Sequence, residues 1–204
     1  MIDKSKKQIS EKHQRILDAA IEMFAEKGYA STSTSEIAKK AEVAEGTIFR
    51  HYKTKKDLLL SIVSPTIATF IAPHFTKAFS KEVLQGDYAS YEEFLRTFAY
   101  NRYEFLKQNL PIIKIFVQEV AFHEEFQKPY VKLFKKEILP YFKKMILHFQ
   151  EKGELKQLPP ETIMRFTVTT IAGTILTKQF IAKELDFEKE LDEAILFLMG
   201  GLKQ

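Results

Sequence analysis

The sequence predicts an all-α protein made of two helical domains. Residues that favour helices dominate the 204 positions, and seven glycines and seven prolines leave long segments between them. No segment alternates apolar and polar residues over a useful length, as a half-buried strand would. Near residues 55–75 the composition changes, and phenylalanine and tyrosine become frequent. We therefore expect a three-helix domain over residues 1–54 and a larger helical domain over residues 55–204.

The composition excludes several classes of protein. Cysteine is absent, which removes a disulfide framework, a thiolate nucleophile and cysteine-ligated metals. The N-terminal segment lacks the apolar core of a signal peptide, and no apolar run reaches the length of a membrane span. We therefore expect a cytoplasmic protein without membrane contacts. The net charge is +4, with +3 in the first 60 residues, and this small excess fits nucleic-acid binding and an ordinary solvated surface about equally well.

Capping residues and apolar periodicity predict the N-terminal helices. The first helix covers residues 10–27 and ends at Gly28, a common position for glycine after a helix. A polar run over residues 31–35 supplies the N-cap of a short second helix. After a break, a third short helix covers residues 45–51. The apolar residues that these helices turn inward are Ile16, Leu17, Ala20, Ile21, Phe24, Ile37, Ala38, Ala41 and Ile48.

Longer helices follow. Thr54 and Asp57 fit a capping box that opens a fourth helix, which we expect to be interrupted or kinked at Pro65. The remaining helices are predicted over residues 91–108, 112–122, 124–152, 160–183 and 188–202, with kinks at Pro129 and Pro140 and a stop at Gly153.

Two short helices joined by a three-residue turn and braced by a longer helix are typical of a helix-turn-helix module. Ala38 and Ala41 are small enough for the two short helices to pack closely, and Val43 fills the turn. Gly46 allows the start of the third helix to approach base pairs. The spacing therefore predicts a DNA-binding module.

Two motifs make this prediction more specific: G-Y-x-x-T-S-x-x-x-I-A over residues 28–38, and A-x-V-x-x-G-T-I-F-x-H-Y-x-x-K-x-x-L over residues 41–58. In spacing, turn and caps they resemble the DNA-binding domain of the TetR family of bacterial repressors. The resemblance covers residues 10–60, and beyond them the chain is similar only in the number and length of its helices.

The resemblance implies which residues would meet DNA. Residues 45–51 would form the recognition helix. Glu45 is favoured there by the helix dipole and could accept a hydrogen bond from a cytosine amine. The other expected contacts are Ser33, Thr34, Ser35, Gly46, Thr47, Phe49, Arg50, His51 and Lys55. Thr47 and Arg50 could instead be ordinary surface residues, and His51 could be a packing residue.

Two residues depart from the family pattern. Glu42 stands where the family favours glycine, and a non-glycine residue in a left-handed conformation costs on the order of 1 kcal/mol. Phe49 replaces the usual tyrosine and so loses one hydrogen bond to the DNA backbone, although its ring could still touch a sugar or a thymine methyl group.

Catalytic and metal-binding motifs are absent from the sequence, and we expect neither an enzyme nor a cofactor. Glu119 and His123 are four residues apart on a predicted helix and could ligate a metal, but an ordinary hydrogen-bonded pair is the stronger interpretation. We therefore expect no catalytic residue and no metal site.

The resemblance also implies a ligand cavity among the C-terminal helices, whose many phenylalanines would suit an apolar or aromatic effector. The candidate lining residues are Phe98, Phe105, Phe116, Phe122, Phe134, Phe142, Met164, Thr167, Thr170 and Thr174. Plain core packing is the alternative for most of the phenylalanines, and the threonines could bond to carbonyls of their own helix.

In the TetR family the last two helices form a four-helix dimer interface, and here they carry broad apolar faces. The candidate interface residues are Ile171, Gly173, Ile175, Leu191, Ile195, Leu198 and Met199. A two-fold dimer would hold two recognition helices over a palindromic operator.

These inferences combine into a homodimeric, ligand-responsive transcriptional regulator. It would be a repressor that binds a double-stranded DNA operator and is released by a small, largely apolar or aromatic effector. The alternative is a carrier or sensor of hydrophobic small molecules whose helix-turn-helix has lost DNA binding. Glu42, Glu45 and Phe49 motivate that alternative.

Overall fold

The computed structural model describes residues 2–71, 83 and 86–204. The all-α prediction is confirmed, because the described residues contain no strand and only one backbone bridge, between Leu155 and Lys203. The helices are α1 (Ile2–Lys27), α2 (Thr34–Lys40), α3 (Glu45–His51), α4 (Lys55–Ile71), α5 (Tyr91–Gln108), α6 (Leu110–Glu119), α7 (Glu124–Leu133), α8 (Leu139–Glu151), α9 (Pro160–Leu176) and α10 (Phe187–Leu202). Two π-helical turns, Phe134–Ile138 and Thr177–Ile181, follow α7 and α9.

The chain divides into two compact units. Unit 1 comprises Met1–Phe70 and Asn109–Val131, and unit 2 comprises Ile71–Gln108 and Lys132–Gln204. α1 packs against α6 within unit 1, so this unit includes more than the N-terminal helices. The functional division predicted after residue 54 rests on the change in sequence composition and stays a prediction.

The core of unit 1 fixes the short helices on α1. Ile16, Ala20 and Phe24 lie on one face of α1 and are fully buried. Ile37 of α2 and Ile48 of α3 are buried as well, and α2 packs on both α1 and α3. Burying an aliphatic or phenylalanine side chain contributes about 1.5–3 kcal/mol. The hydrophobic effect therefore holds α2 and α3 in place, and the inward faces predicted for these five residues are confirmed.

α1 begins at Ile2, eight residues before the predicted start. Residues 2–9 contain neither glycine nor proline, so no residue in this segment stops a helix. Extending an existing helix costs far less than starting one. The helix can therefore continue toward the N-terminus beyond its buried stripe.

Prolines divide the C-terminal helices differently from the prediction. The segment predicted as one helix over residues 124–152 is interrupted by the π-helical turn between α7 and α8. Pro140 lies at the start of α8 and has no N–H to donate to the preceding turn, which accounts for the break. α4, in contrast, continues through Pro65 to Ile71 without interruption.

Unit 2 has an aromatic core. The rings of Tyr91, Phe94 and Phe149 pack together, and Phe94 also contacts Phe142 at 5.6 Å between ring centroids. Burial raises the pKa of Tyr91, whose hydroxyl is 2.9 Å from the Thr167 Oγ1 atom. The buried phenol therefore has a hydrogen-bond partner within the core.

Candidate nucleic-acid interface

α2 begins with a complete capping box. The backbone N–H of Ser33 donates to the Glu36 carboxylate at 2.9 Å, and the Glu36 backbone N–H donates to the Ser33 Oγ atom at 3.1 Å. The bond from the Ser33 backbone, followed by that from Lys27, lowers the pKa of Glu36 to about 2. Ser33 is thus the N-cap within the predicted polar run, and the cap fixes where the helix starts.

The turn between α2 and α3 contains a left-handed residue. Glu42 has a φ of 54° and is the sole non-glycine residue with positive φ in the part of the chain that the structure describes. Its N–H donates to the Lys39 carbonyl at 3.2 Å, and the next N–H, that of Val43, donates to Ala38 at 3.0 Å. The Glu42 carboxylate lies 3.4 Å from the Arg15 guanidinium at the surface. The prediction that Glu42 adopts the glycine conformation is confirmed.

α3 packs mainly through Ile48 and exposes most of its other residues. Ile48 is buried, whereas Glu45, Gly46 and Arg50 are exposed and Phe49 is 48% exposed. An exposed phenylalanine next to an arginine makes the outer face both apolar and cationic. A helix with this surface can insert into a major groove without unpacking its domain.

No contact with the described residues requires a glycine at position 46. A Cβ atom there would have nothing within 4 Å, and Gly46 does not have a positive φ. Glycine in a helix is unfavourable by about 0.5–1 kcal/mol relative to alanine. The open space therefore suits the close approach of another molecule to the first turn of α3.

Glu45 and Thr34, two of the predicted DNA contacts, are joined to each other. The Thr34 hydroxyl donates to the Glu45 carboxylate at 2.6 Å and so connects the start of α2 to the start of α3. Glu45 keeps further acceptor positions, because a carboxylate can accept several hydrogen bonds. Ser35 is exposed beside Thr34, and Thr47 is half-buried on α3.

Lys55 lies away from the outer face of α3. Its ammonium group donates to the carbonyl oxygens of Tyr29 and Thr32 at 2.8 Å each, and lies 4.3 Å from the centroid of the Tyr29 ring. It therefore holds the loop that leads into α2. A phosphate contact by Lys55 stays a prediction and would require these bonds to exchange.

His51 contacts His13, a residue that the sequence did not predict as part of the site. Its ring stacks on the His13 ring of α1, with the centroids 4.9 Å apart and the planes 1° from parallel. His13 also lies 2.5 Å from the Tyr52 hydroxyl. Because 38 positions separate the two histidines, no local sequence signal could have paired them.

The predicted ligand-lining residues do not form one cavity. Phe98, Phe142 and Thr167 are buried in the aromatic core of unit 2, and the Thr174 hydroxyl donates to the carbonyl of Thr170 in its own helix at 3.0 Å. The two alternative roles therefore apply here: Phe98, Phe142 and Thr167 pack in the core, and Thr174 bonds to a carbonyl of its own helix. Outside this core, Phe105 and Phe116 are half-buried, and Phe122 is 80% exposed.

The two remaining candidates, Phe134 and Met164, do line a cavity. It lies open to solvent in unit 2 and has a volume of about 420 Å³. Val168 and Thr169 line it as well, together with the charged residues Glu161 and Arg165. This volume falls within the range of small-molecule sites.

The predicted dimer residues are mostly interior. Five of them are buried within the chain and offer almost no surface to a second copy: Ile171, Ile175, Leu191, Ile195 and Leu198. Gly173 is exposed and Met199 is half-buried. The large apolar side chains that α9 and α10 do expose are Phe166 at 51%, Leu196 at 75% and Phe197 at 79%.

Other kinds of site find little support. Glu119 lies 3.3 Å from His123 in unit 1, and the described residues contain no group of three or more potential metal ligands. Among these residues, no helix is long and apolar enough to cross a membrane.

A comparison with known families matches the helix-turn-helix. Residues 16–62 match the family model described as bacterial regulatory proteins, tetR family. This segment is similar to the TetR family from the buried stripe of α1 into α4, as predicted from the two motifs. The matched family is described as one of regulatory proteins.

Two regulators from Bacillus subtilis are similar to part of the chain. The fatty acid metabolism regulator protein is 45% identical over 65 residues, which are 32% of this chain and 34% of that protein. The HTH-type transcriptional regulator YvkB is 50% identical over 52 residues, or 26% of this chain and 28% of that protein. The chain therefore spans about a third of the length of these relatives.

A solved structure has a similar fold. The transcriptional regulator FadR from Bacillus subtilis, in complex with stearoyl-CoA, has a TM-score of 0.67 and 24% identity. The alignment covers 93% of this chain and 98% of that chain. The likeness in fold therefore extends beyond the helix-turn-helix.

Proposed function

We propose that this protein is a ligand-responsive transcriptional repressor that binds DNA through α3. The observation that carries the proposal is the outer face of α3, where Gly46, Phe49 and Arg50 are exposed on a helix anchored from behind by Ile48. A packed helix that presents an open glycine and a cation is suited to the major groove. The TetR family match over residues 16–62 supports the same conclusion.

The contacts would divide between base edges and phosphates. Arg50 is long enough to reach a base or a phosphate, and Phe49 would contact a sugar or a thymine methyl group. Ser33 and Ser35, at the start of α2, would meet a phosphate, since the N-terminus of a helix favours an anion. Thr47 would add a contact from the inner edge of α3.

Glu45 would select sequence. Its bond to Thr34 limits the directions that the carboxylate can take. A carboxylate fixed at the groove floor accepts a hydrogen bond from a cytosine amine but repels nearby phosphates. We expect Glu45 to raise discrimination between sequences more than it raises affinity.

We propose that two copies assemble through α9 and α10 and read a palindromic operator. The support is the exposed apolar surface of these helices, formed by Phe166, Leu196 and Phe197. Gly173 and Gly200 are exposed on the same two helices and would let a partner helix approach closely. A two-fold assembly would pair the two α3 helices with two half-sites.

The effector would be largely apolar and would bind unit 2. The cavity beside Phe134 and Met164 supports such a ligand, because carbon atoms dominate these side chains. Two similar proteins suggest the first compounds to test: one is named a fatty acid metabolism regulator, and the other is solved with stearoyl-CoA. A long-chain acyl-CoA that binds the DNA-free conformation more tightly would release the operator by shifting the population.

Salt-dependent binding to duplex DNA tests the proposal. For the wild-type chain, a plot of log affinity against log salt concentration should have a steep negative slope, because each neutralised phosphate releases counterions. Arg50→Ala should make the slope shallower by about one unit if Arg50 contacts a phosphate. Lys144→Ala removes an equal charge from an exposed site on α8 and should leave the slope unchanged.

A weak and flat salt response in the wild-type chain would reject the repressor. Together with retained binding of a hydrophobic ligand, that response would favour the carrier or sensor whose helix-turn-helix no longer binds DNA.

A further inference from the structure

The stacked histidines form a unit with the last residues of the helix-turn-helix. His13 is half-buried on α1, and its Nε2 atom lies 2.5 Å from the hydroxyl of the buried Tyr52. Tyr52 directly follows α3 and caps its last turn through a backbone bond to Ile48. The His13 ring is thus attached to the end of the recognition helix.

His13 turns one face to His51 and leaves the edge of that ring accessible. The two planes are 1° from parallel at 4.9 Å, while His51 remains exposed. A stacked neighbour restricts rotation of the imidazole, so the direction of its ring nitrogens is restricted as well. His51 is one of the predicted phosphate contacts, and a fixed ring nitrogen can donate to a phosphate at little cost in entropy.

We propose that His13 is a positioning residue that orients His51 toward a DNA phosphate, and that the stacked pair makes this contact weaken at acidic pH. The inference rests on the proposed function of DNA binding. It adds a residue outside the recognition helix and a dependence on pH.

The pH dependence follows from the geometry. A charged His51 ring donates a charge-assisted hydrogen bond to a phosphate. When His13 also gains a proton, two positive rings stand 4.9 Å apart and repel each other. The stack then opens, and His51 loses the orientation that suits the phosphate.

Two causes lower the pKa of His13, burial first and then the charge of His51. The other charged residues within three positions of either ring are Glu11, Lys12, Arg15, Arg50 and Lys53. Of the helices that pack on α1, α2 carries Glu36, Lys39 and Lys40, and α6 carries Lys114 and Glu119. Arg15 is directed to Glu42 in the turn. His13 therefore takes up its proton at lower pH than an isolated imidazole does.

The test measures the affinity of the full-length chain for a duplex between pH 5.5 and 8, at constant ionic strength. Random-sequence duplex serves until an operator is known, because a phosphate contact is independent of sequence. The affinity of the wild-type chain should decline by about five- to tenfold as the pH falls toward 5.5. His13→Phe retains an aromatic face without a charge, so its affinity should show no such decline over the same pH range.

Two controls identify the groups involved. His51→Ala should bind more weakly near neutral pH and should lose the decline toward acidic pH. In the DNA-free protein, nuclear magnetic resonance of the His51 ring protons should report ring-current shifts in the wild type and in His13→Phe, but not in His13→Ala. This second readout tests the stack without DNA.

Several results would overturn the inference. An unchanged profile in His13→Phe would remove His13 from the pH response. An equal loss of affinity at every pH would mean that His13 only braces α1 against α3. Absence of duplex binding by the wild type at every pH, with the ring-current shifts present, would reject the proposed function itself and the inference with it.

Discussion

Replacing Gly46 with alanine should move stability and DNA binding in opposite directions. Gly46 lies in the first turn of α3, and no atom of the residues that the structure describes lies within 4 Å of the position that a Cβ atom would take. Alanine is more favourable than glycine in a helix by about 0.5–1 kcal/mol, and the first turn should realise the lower part of this range. The substitution should therefore raise the free energy of unfolding by roughly 0.5 kcal/mol.

The same methyl group should hinder docking in the groove. It would occupy the open surface through which α3 approaches the base pairs, and overlap with one base pair or sugar costs about 1–3 kcal/mol. We expect Gly46→Ala to weaken duplex binding by about five- to a hundredfold, and Gly46→Ser to weaken it at least as much.

Urea unfolding and fluorescence anisotropy with a labelled duplex measure the two effects on the same preparations. We expect Gly46→Ala to have a higher free energy of unfolding and a lower affinity for the duplex than the wild type. Equal or tighter DNA binding by Gly46→Ala would mean that the first turn of α3 does not approach DNA. Lower stability would mean that the space around Gly46 is not open.

Three further predictions concern the supports of the interface. Lys55→Met keeps an unbranched side chain but loses the bonds to the Tyr29 and Thr32 carbonyls. Urea unfolding should therefore report a free energy of unfolding about 1–2 kcal/mol lower. An unchanged midpoint would mean that Lys55 does not hold this loop. Glu42→Gly should be more stable than Glu42→Ala by about 1 kcal/mol. Both variants lose the ion pair with Arg15, but only alanine keeps the strain of the left-handed conformation. Equal free energies of unfolding would mean that position 42 is not strained. Burial and the charge of His51 lower the pKa of His13, so the unfolded chain binds the proton more tightly than the folded chain does. The free energy of unfolding should therefore decline as the pH falls below about 6.5. In a pH series of urea titrations, His13→Phe should remove that part of the decline.

The helix-turn-helix was predictable because its signals are local. An N-cap within the polar run 31–35, the small residues Ala38 and Ala41 and the inward Ile48 each depend on neighbours a few positions away, and the structure confirms them, with Ser33 as the N-cap. The left-handed conformation of Glu42 was implied by the resemblance to the TetR family, which favours glycine at that position, and the structure confirms it. The extension of α1 to Ile2 was missed because no cap or apolar stripe marks it.

Contacts between residues far apart along the chain could not be predicted from the sequence. The α9 and α10 helices are apolar over so much of their surface that periodicity cannot separate the face packed inside the chain from the face left exposed. The sequence therefore predicts Ile171, Leu191 and Ile195 at the interface, whereas the structure buries them and exposes Leu196 and Phe197.

Some contacts in the candidate site could not be predicted for the same reason. Lys55 binds carbonyl oxygens more than 20 positions away, and His13 meets His51 across 38 positions. The aromatic residues of unit 2 posed a similar problem, because a phenylalanine in a filled core and one in a ligand cavity have the same spacing along a helix. Phe142 packs in the core and Phe134 lines the cavity, although both lie on apolar segments.

Selection of bound sequences from a random duplex pool tests the central claim most directly. The account predicts that the wild-type chain enriches one inverted repeat, whose half-sites are separated by about one or more helical turns. The same selection with Glu45→Ala should enrich the repeat with weaker preference at one base pair in each half-site, because a carboxylate no longer selects cytosine there. A pool that remains random after selection with the wild-type chain would contradict the claim that this protein regulates a specific operator through α3.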